Sequence, residues 1–337
     1  MAFVVPPTWR AWLRADRGPG RGPATTPSVE PLRSQPDLAA PACEPSVDAT
    51  PDRPGPQAPR AGHRAVGQHL RESALLDDAQ IEAVLSLQRA KGLRFGEAAL
   101  SLDLVTREQL LQALARQFEF PLLAPGPCGL APELVVAHDP FGVAAEHYRS
   151  LRSQLMGSGV ADDAPRRALA VVSSGVGDGK STTAANLAIS FSQLGLRTLL
   201  VDANLRRPSV HRLFGLDRPM GLGALLGGQP DTAPCGVDGL PGLSLLPAGG
   251  QPPNPLELIE RPAFALLMQG WLERFDQVIV DTPAAAHGAD ARVLAARCGS
   301  ALVVARPGRT AMAPVHRLVQ ALRAGPARLH GVVFHQG

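Results

Sequence analysis

Two hydrophobic rhythms run along this chain. Between residues 64 and 117 apolar side chains recur at helical spacing. Ile81, Val84 and Leu85 with Gln88 make one stripe, and Leu110, Leu111 and Leu114 with Gln117 make another. The stripes belong to an internal repeat: residues 65–88 (AVGQHLRESALLDDAQIEAVLSLQ) align with residues 94–117 (RFGEAALSLDLVTREQLLQALARQ). Gly67 falls on Gly96, Leu75-Leu76 on Leu104-Val105, and Ile81 on Leu110. Asp77 and Thr106 stand where helix N-caps belong. Each unit is predicted to be a short helix, a turn and a longer helix, with the two stripes buried against each other. From Phe141 onward short aliphatic runs take over, at 169–173, 198–201, 243–246, 277–280, 301–305 and 331–334, with helical stretches between most of them. Strand–helix alternation of this kind predicts an α/β fold with a mostly parallel sheet covered by helices. The expected organisation is a tail over 1–62, a small all-α two-repeat domain over 63–123, a linker over 124–140 and a larger α/β domain over 141–337.

Composition sharpens this picture. A length of 337 residues fits about two domains. Apolar residues make up 45% and aromatics 4%, so the core must be aliphatic, as parallel sheets prefer. Residues 1–62 hold 13 of the 33 prolines, which forbids a helix or ladder there and predicts a disordered tail. Trp9, Trp12 and Leu13 in that tail suit contact with a membrane or a partner, or simply an exposed apolar terminus. The net charge of +3 is too small to imply a nucleic-acid partner. No apolar run is long enough to span a bilayer, and MAFVVPPTWR lacks the basic and apolar regions of a secretory signal. Cys43, Cys128, Cys235 and Cys298 are widely separated and read as buried or idle thiols of a reducing compartment. The expected location is therefore cytoplasmic.

The chemistry concentrates in ALAVVSSGVGDGKSTTAANLAISFSQLG, residues 168–195. A strand runs into Gly175, Val176, Gly177, Asp178, Gly179, Lys180, Ser181 and Thr182, and then into an amphipathic helix. Small residues let backbone N–H groups curl around a phosphate, and the helix points its positive end at the same anion. Lys180 is placed to reach the β/γ-phosphates and the Ser181 hydroxyl to ligate Mg²⁺. Of 33 basic residues only Lys91 and Lys180 are lysine, so a compact ammonium is retained in this loop by a chain that otherwise writes arginine. Ser174 stands where the plain phosphate-loop pattern has its first glycine. Two later strands end in Asp202 (LLVDANLRRP) and Asp281 (VIVDTP). A carboxylate there faces the ligand crevice, although either aspartate alone would read as a helix cap. Together they predict a site for Mg-ATP, with Ser181, Asp202 and Asp281 around the metal and Lys180, Asp202 and Asp281 as the catalytic set.

These three segments resemble the Walker A, Walker A′ and Walker B motifs of bacterial tyrosine kinases, P-loop proteins related to the MinD/ParA ATPases. Glu146, Arg149 and Arg152 match that family's EX2RX2R oligomerisation helix, their i, i+3 spacing setting the three charges on one face available to a neighbouring subunit, and NPLELI (254–259) is similar to its Asn-Pro-x-Glu-Leu segment. MinD-type proteins carry an extra lysine where this chain has Gly175, which favours the kinase branch. The repeat resembles the N-terminal domain of type II secretion and pilus-assembly ATPases, some of which bind cyclic di-GMP. Arg94-Phe95-Gly96 keeps that motif in the second copy, whereas Ala65, Ala74 and Asp103 depart from it. Residues 64–117 are thus either a cyclic di-GMP site or a packing and docking module. The combination, GLRFGEAAL (92–100) included, is similar to EpsG-type chain-length-determinant kinases of exopolysaccharide loci. The resemblance implies transfer of the ATP γ-phosphoryl group to tyrosine, homo-oligomerisation, and a membrane-embedded polysaccharide co-polymerase as partner, placing the chain at the inner membrane.

Two departures leave a second function open. The family's Asp-x-Asp is Asp202-Ala203-Asn204 here, and the only tyrosine is Tyr148, inside the oligomerisation helix, where it is either an acceptor or a packing residue on the helix surface. A P-loop ATPase without kinase activity, working as a nucleotide-driven oligomerisation switch, fits those departures.

Overall fold

A computed structural model describes residues 70–71, 75–117, 129–157, 167–217, 220–229 and 232–336. The proline-rich segment, Cys43, Cys128 and the start of the expected linker lie outside these residues.

The repeat forms α1 (Asp78–Lys91), α2 (Phe95–Ser101) and α3 (Arg107–Gln117). Both longer helices begin with the same reciprocal cap. Gln80 N donates to Asp77 Oδ1 at 2.7 Å and Asp77 N to Gln80 Oε1 at 2.9 Å. In the second copy Gln109 N donates to Thr106 Oγ1 at 3.2 Å and Thr106 N to Gln109 Oε1 at 2.7 Å. Each box satisfies two N–H groups that a helix start leaves orphaned. The buried set is Leu70, Leu76, Val84, Ala98, Ala99, Val105 and Ala113, with Ile81, Leu87 and Leu110 against it. The predicted stripe is therefore rotated: Leu87 and Ala113 take the inner positions assigned to Leu85, Leu111 and Leu114. Gly96 allows the close approach of α2 and α3, since a Cβ there would lie 2.8 Å from Leu110 Cδ2.

The larger unit runs α4 (Val135–His138), α5 (Val143–Gly157), β1 (Ala168–Ser173), α6 (Lys180–Ser192), β2 (Thr198–Asp202), α7 (Val210–Leu213), α8 (Leu222–Leu226), β3 (Cys235–Val237), β4 (Leu240–Leu246), α9 (Pro255–Glu260), α10 (Pro262–Arg274), β5 (Gln277–Asp281), α11 (Asp290–Cys298), β6 (Gly299–Ala305), α12 (Met312–Ala324) and β7 (Arg328–Phe334). The strand order is β3-β4-β2-β5-β1-β6-β7, parallel throughout except for the β3–β4 edge pair. All six predicted strands are present, each longer than predicted. β3 was not predicted, because three mostly exposed residues carry no apolar run.

β1, β2 and β5 are buried almost throughout, as a sheet covered on both faces requires. Leu169, Val171, Leu200, Ile279, Leu302 and Val304 point to α6, which is itself backed by α4 and α5. α10, α11 and α12 pack on the other side. Among the described residues no helix is long and apolar enough to cross a membrane. Cys298 is buried and Cys235 exposed; both are free thiols.

Candidate nucleotide and phosphoryl-transfer site

The site lies along the carboxyl edge of the sheet, where strand ends release their loops toward one crevice. β1 stops at Ser173, the chain turns through 174–179, and Lys180 opens α6 with Gly179 as its left-handed N-cap (φ 88°). Gly177 is also left-handed (φ 79°), so both glycines adopt backbone angles that side chains resist. Added Cβ atoms would also collide, at 2.2 Å from His335 Cδ2 for Gly179 and at 2.8 Å from Arg309 Nη2 for Gly177.

The loop is held by its own acid. Gly175 N donates to Asp178 Oδ2 at 2.7 Å, and the Thr310 hydroxyl donates to Asp178 Oδ1 at 2.7 Å. Thr310 Oγ1 in turn accepts from Arg306 N at 2.7 Å. The Gly175 N–H is thus already engaged, and the buried Asp178 carboxylate staples the loop to the turn after β6. Val176 is exposed at the tip. Lys180 is buried, with Ser181 and Thr182 beside it in the first turn of α6.

Asp202 and Asp281 are partners in register at the ends of neighbouring strands, and both are fully buried. Their environments differ. Asp202 accepts from Asn204 N (3.0 Å), Ser209 N (3.1 Å) and Val210 N (3.0 Å), so it caps α7 and the turn before it. It therefore fulfils the helix-cap reading at the carboxyl end of β2. Neither oxygen of Asp281 makes a hydrogen bond of ordinary length; the Lys180 ammonium, the Ser181 hydroxyl and the Thr282 N–H face it more loosely. Burial holds both carboxyls above the usual range. The neighbouring Asp281 charge adds to this for Asp202, while Lys180 and Ser181 offset it for Asp281. A buried carboxylate with open lone pairs, a hydroxyl and a lysine in one place suits a magnesium–phosphate group, which takes few protein ligands. Among the described residues no cluster of three acids, histidines or cysteines forms a separate metal cage.

Asn204 is explained by its partners. Its Nδ2 donates to Arg207 O at 2.7 Å and its Oδ1 accepts from Arg207 N at 3.1 Å. An aspartate could accept but not donate. Arg206 next to it forms a two-point pair with buried Asp290, both bonds 3.1 Å, tying the loop after β2 to the start of α11.

The oligomerisation motif sits differently from its sequence reading. Glu146 and Arg149 pair with each other at 2.6 Å, and Arg149 also donates to Pro140 O. Arg152 turns inward and donates to Ser190 O of α6 at 2.5 Å. The three charges are not one outward face. Tyr148 is not on the surface but fully buried, its hydroxyl beside Thr183 and Asn186 of α6, and burial pushes its pKa up to about 12. Asn186 clamps the preceding segment, accepting from Val136 N at 3.0 Å and donating to Glu133 O at 2.9 Å.

Sequence reasoning missed Arg309, Thr310, His335 and the Arg206–Asp290 pair. The one usable signal was position: 306–310 and 335 follow β6 and β7 at the same sheet edge that carries the aspartates.

Comparison with known proteins agrees with this geometry. The ParA family, described as the NUBPL iron-transfer P-loop NTPase, matches residues 165–335. The tyrosine-protein kinase YwqD of Bacillus subtilis is 32% identical over 203 residues, 60% of this chain and 85% of YwqD. The chain belongs to the bacterial tyrosine kinases of the ParA-type P-loop class. EpsB of Ralstonia solanacearum is 34% identical over 203 residues, 60% of this chain, but the chain spans only 27% of that longer relative. Among solved structures, the kinase domain of the Escherichia coli tyrosine kinase ETK is 28% identical, with a TM-score of 0.58 over 63% of this chain and 82% of that one.

Proposed function

We propose that this chain is an ATP-dependent protein tyrosine kinase that regulates exopolysaccharide chain length, polymerisation and export together with a membrane-embedded co-polymerase. The observation that carries the reading is the convergence of Lys180, Ser181 and two register-matched buried aspartates on one phosphate loop in a chain of this family. The N–H groups of 176–182 and the Lys180 ammonium hold the triphosphate. Mg²⁺, when bound at Ser181 and Asp281, neutralises phosphate charge. Asp281 has the open lone pairs for that role. Asp202, already carrying three N–H donors, accepts the acceptor's phenolic proton. The tyrosine oxygen forms a bond to the γ-phosphorus as the bond to the β,γ-bridging oxygen breaks, and ADP leaves. Positioning and charge neutralisation supply most of the rate. The test is mass spectrometry for phosphotyrosine after incubation with Mg-ATP and the partner's cytoplasmic segment. Transfer by the wild type and none by Lys180→Met is the expected result; no transfer by the wild type defeats the reading.

The second reading, a nucleotide-driven oligomerisation switch, is favoured by buried Tyr148 and by Asn204. It predicts ATP-dependent assembly through Glu146 and Arg149 with no phosphotyrosine anywhere. Association with the inner membrane through the partner fits either reading. Cyclic di-GMP binding by residues 64–117 rests on the exposed Arg94, and calorimetry with the dinucleotide decides it.

A further inference from the structure

Beside the phosphate loop a cleft of about 720 Å³ opens between the loop's first half, the segment after β5 and helix α12. Ser174–Val176 and Asp178 form its near wall, while Lys180 and Ser181 do not line it. It is thus a compartment next to the nucleotide cradle rather than the cradle itself. Its floor is small and apolar, with Ala285, Ala289, Pro314 and Leu318. Its charged rim is all of one sign: Arg292, Arg309 and Arg317 are exposed. Among the described residues none of the three forms an ion pair with an acid. The only carboxylate lining the cleft, Asp178, is committed to Gly175 and Thr310.

The second observation concerns the acceptor. Tyr148 is fully buried against α6, so it does not offer its phenol to this cleft. An apolar floor suits an aromatic ring, and three uncompensated guanidinium groups suit carboxylates, which arginine binds in two-point fashion. Resting on the kinase reading above, we infer that this cleft receives a tyrosine-bearing segment of a partner chain whose flanking residues are acidic, with Arg292, Arg309 and Arg317 reading those acids.

Two peptides test this on the full chain: a tyrosine flanked on each side by glutamates, and the same peptide with glutamines. Binding is followed by fluorescence anisotropy in the presence of a non-hydrolysable ATP analogue, and transfer by phosphotyrosine formation. The acidic peptide is expected to bind and react better. Arg292→Gln with Arg317→Gln is expected to weaken its binding and raise its KM about tenfold, as loss of two solvent-exposed charge-assisted contacts implies, while shifting the glutamine peptide less than about twofold. Arg309, which lies against Gly177, is left unaltered so that the loop is undisturbed. Equal binding of the two peptides overturns the inference, and so does a double variant that raises the KM for ATP while leaving discrimination between the peptides intact. Selective binding of the acidic peptide without any transfer upholds the cleft and defeats the kinase reading; transfer to both peptides alike does the reverse.

Discussion

At the scale of single residues, the substitution that weakens the family motif is also the one best accounted for by geometry. Asn204 makes two hydrogen bonds to the backbone of Arg207, one as donor and one as acceptor. Replacing it by the family's aspartate keeps the accepted bond and turns a carboxylate oxygen toward the Arg207 carbonyl. A part-buried carbonyl left without its donor, and now facing a carboxylate, costs about 1 kcal/mol. Asn204→Asp is therefore expected to lower stability by about that amount in chemical denaturation rather than to restore a better enzyme. An unchanged midpoint together with faster transfer would show that the second carboxylate was the missing part. The three-way engagement of Asp202 has the same lesson: the acid is legible in the sequence as a strand end, but the N–H groups that occupy it come from Asn204, Ser209 and Val210, and no pattern of residue types announces them.

Among elements, the pair α5–α6 matters most. The phosphate-loop helix is braced along its length by the helix that carries the oligomerisation motif, through Tyr148 against Thr183 and Asn186 and through Arg152 on Ser190. The motif's residues thus differ in kind. Arg152 makes a partly buried charge-assisted bond to a carbonyl, worth about 1.5–3 kcal/mol. The Glu146 side chain in the Glu146–Arg149 pair is mostly exposed, and such a pair contributes about 0.2–1 kcal/mol. Thermal and urea denaturation should therefore show Arg152→Ala clearly destabilised and Glu146→Ala, which leaves the Arg149 bond to Pro140 O in place, close to wild type. If the two variants melt alike, Arg152 is not anchored on α6. Spacing had placed all three charges on one outward face. Helical periodicity reports which residues share a side, not which neighbour that side meets, and α6 was the neighbour. The same limit explains the rotated stripe of the repeat: Ala113 carries too little hydrophobic signal to be preferred over Leu111 or Leu114, yet it is the residue buried in the cluster.

For the whole molecule, local signals located the phosphate loop and both aspartates because each sits at a strand end marked by its own neighbours. Arg309, Thr310 and His335 reach the loop only through the sheet order, which sets β6 beside β1 and β7 beyond it. The described residues hold two separate apolar clusters, one in 70–113 and one in the α/β unit, and only the second contains buried carboxylates. This predicts two calorimetric transitions that respond to different perturbations. Asp77→Ala with Thr106→Ala removes both capping boxes and should destabilise the small transition by about 2 kcal/mol, at about 1 kcal/mol per cap, without moving the large one. pH should do the opposite. Asp202 and Asp281 have folded-state pKa values raised above the ordinary carboxylate range, so between that range and neutrality the folded state holds protons that the unfolded state has released. Their contribution is complete in acid and is lost as the pH rises toward neutrality, at up to about 1.4 kcal/mol per pH unit for each proton. His330 and His335, whose pKa values burial lowers, act in the opposite sense and favour the folded state as the pH rises. The aspartate share is isolated by Asp281→Asn, which should flatten the pH dependence of the large transition relative to wild type. A variant as pH-sensitive as the wild type, or a small transition that shifts in step with the large one, would mean that the charges at the strand ends are not what the larger core is working against.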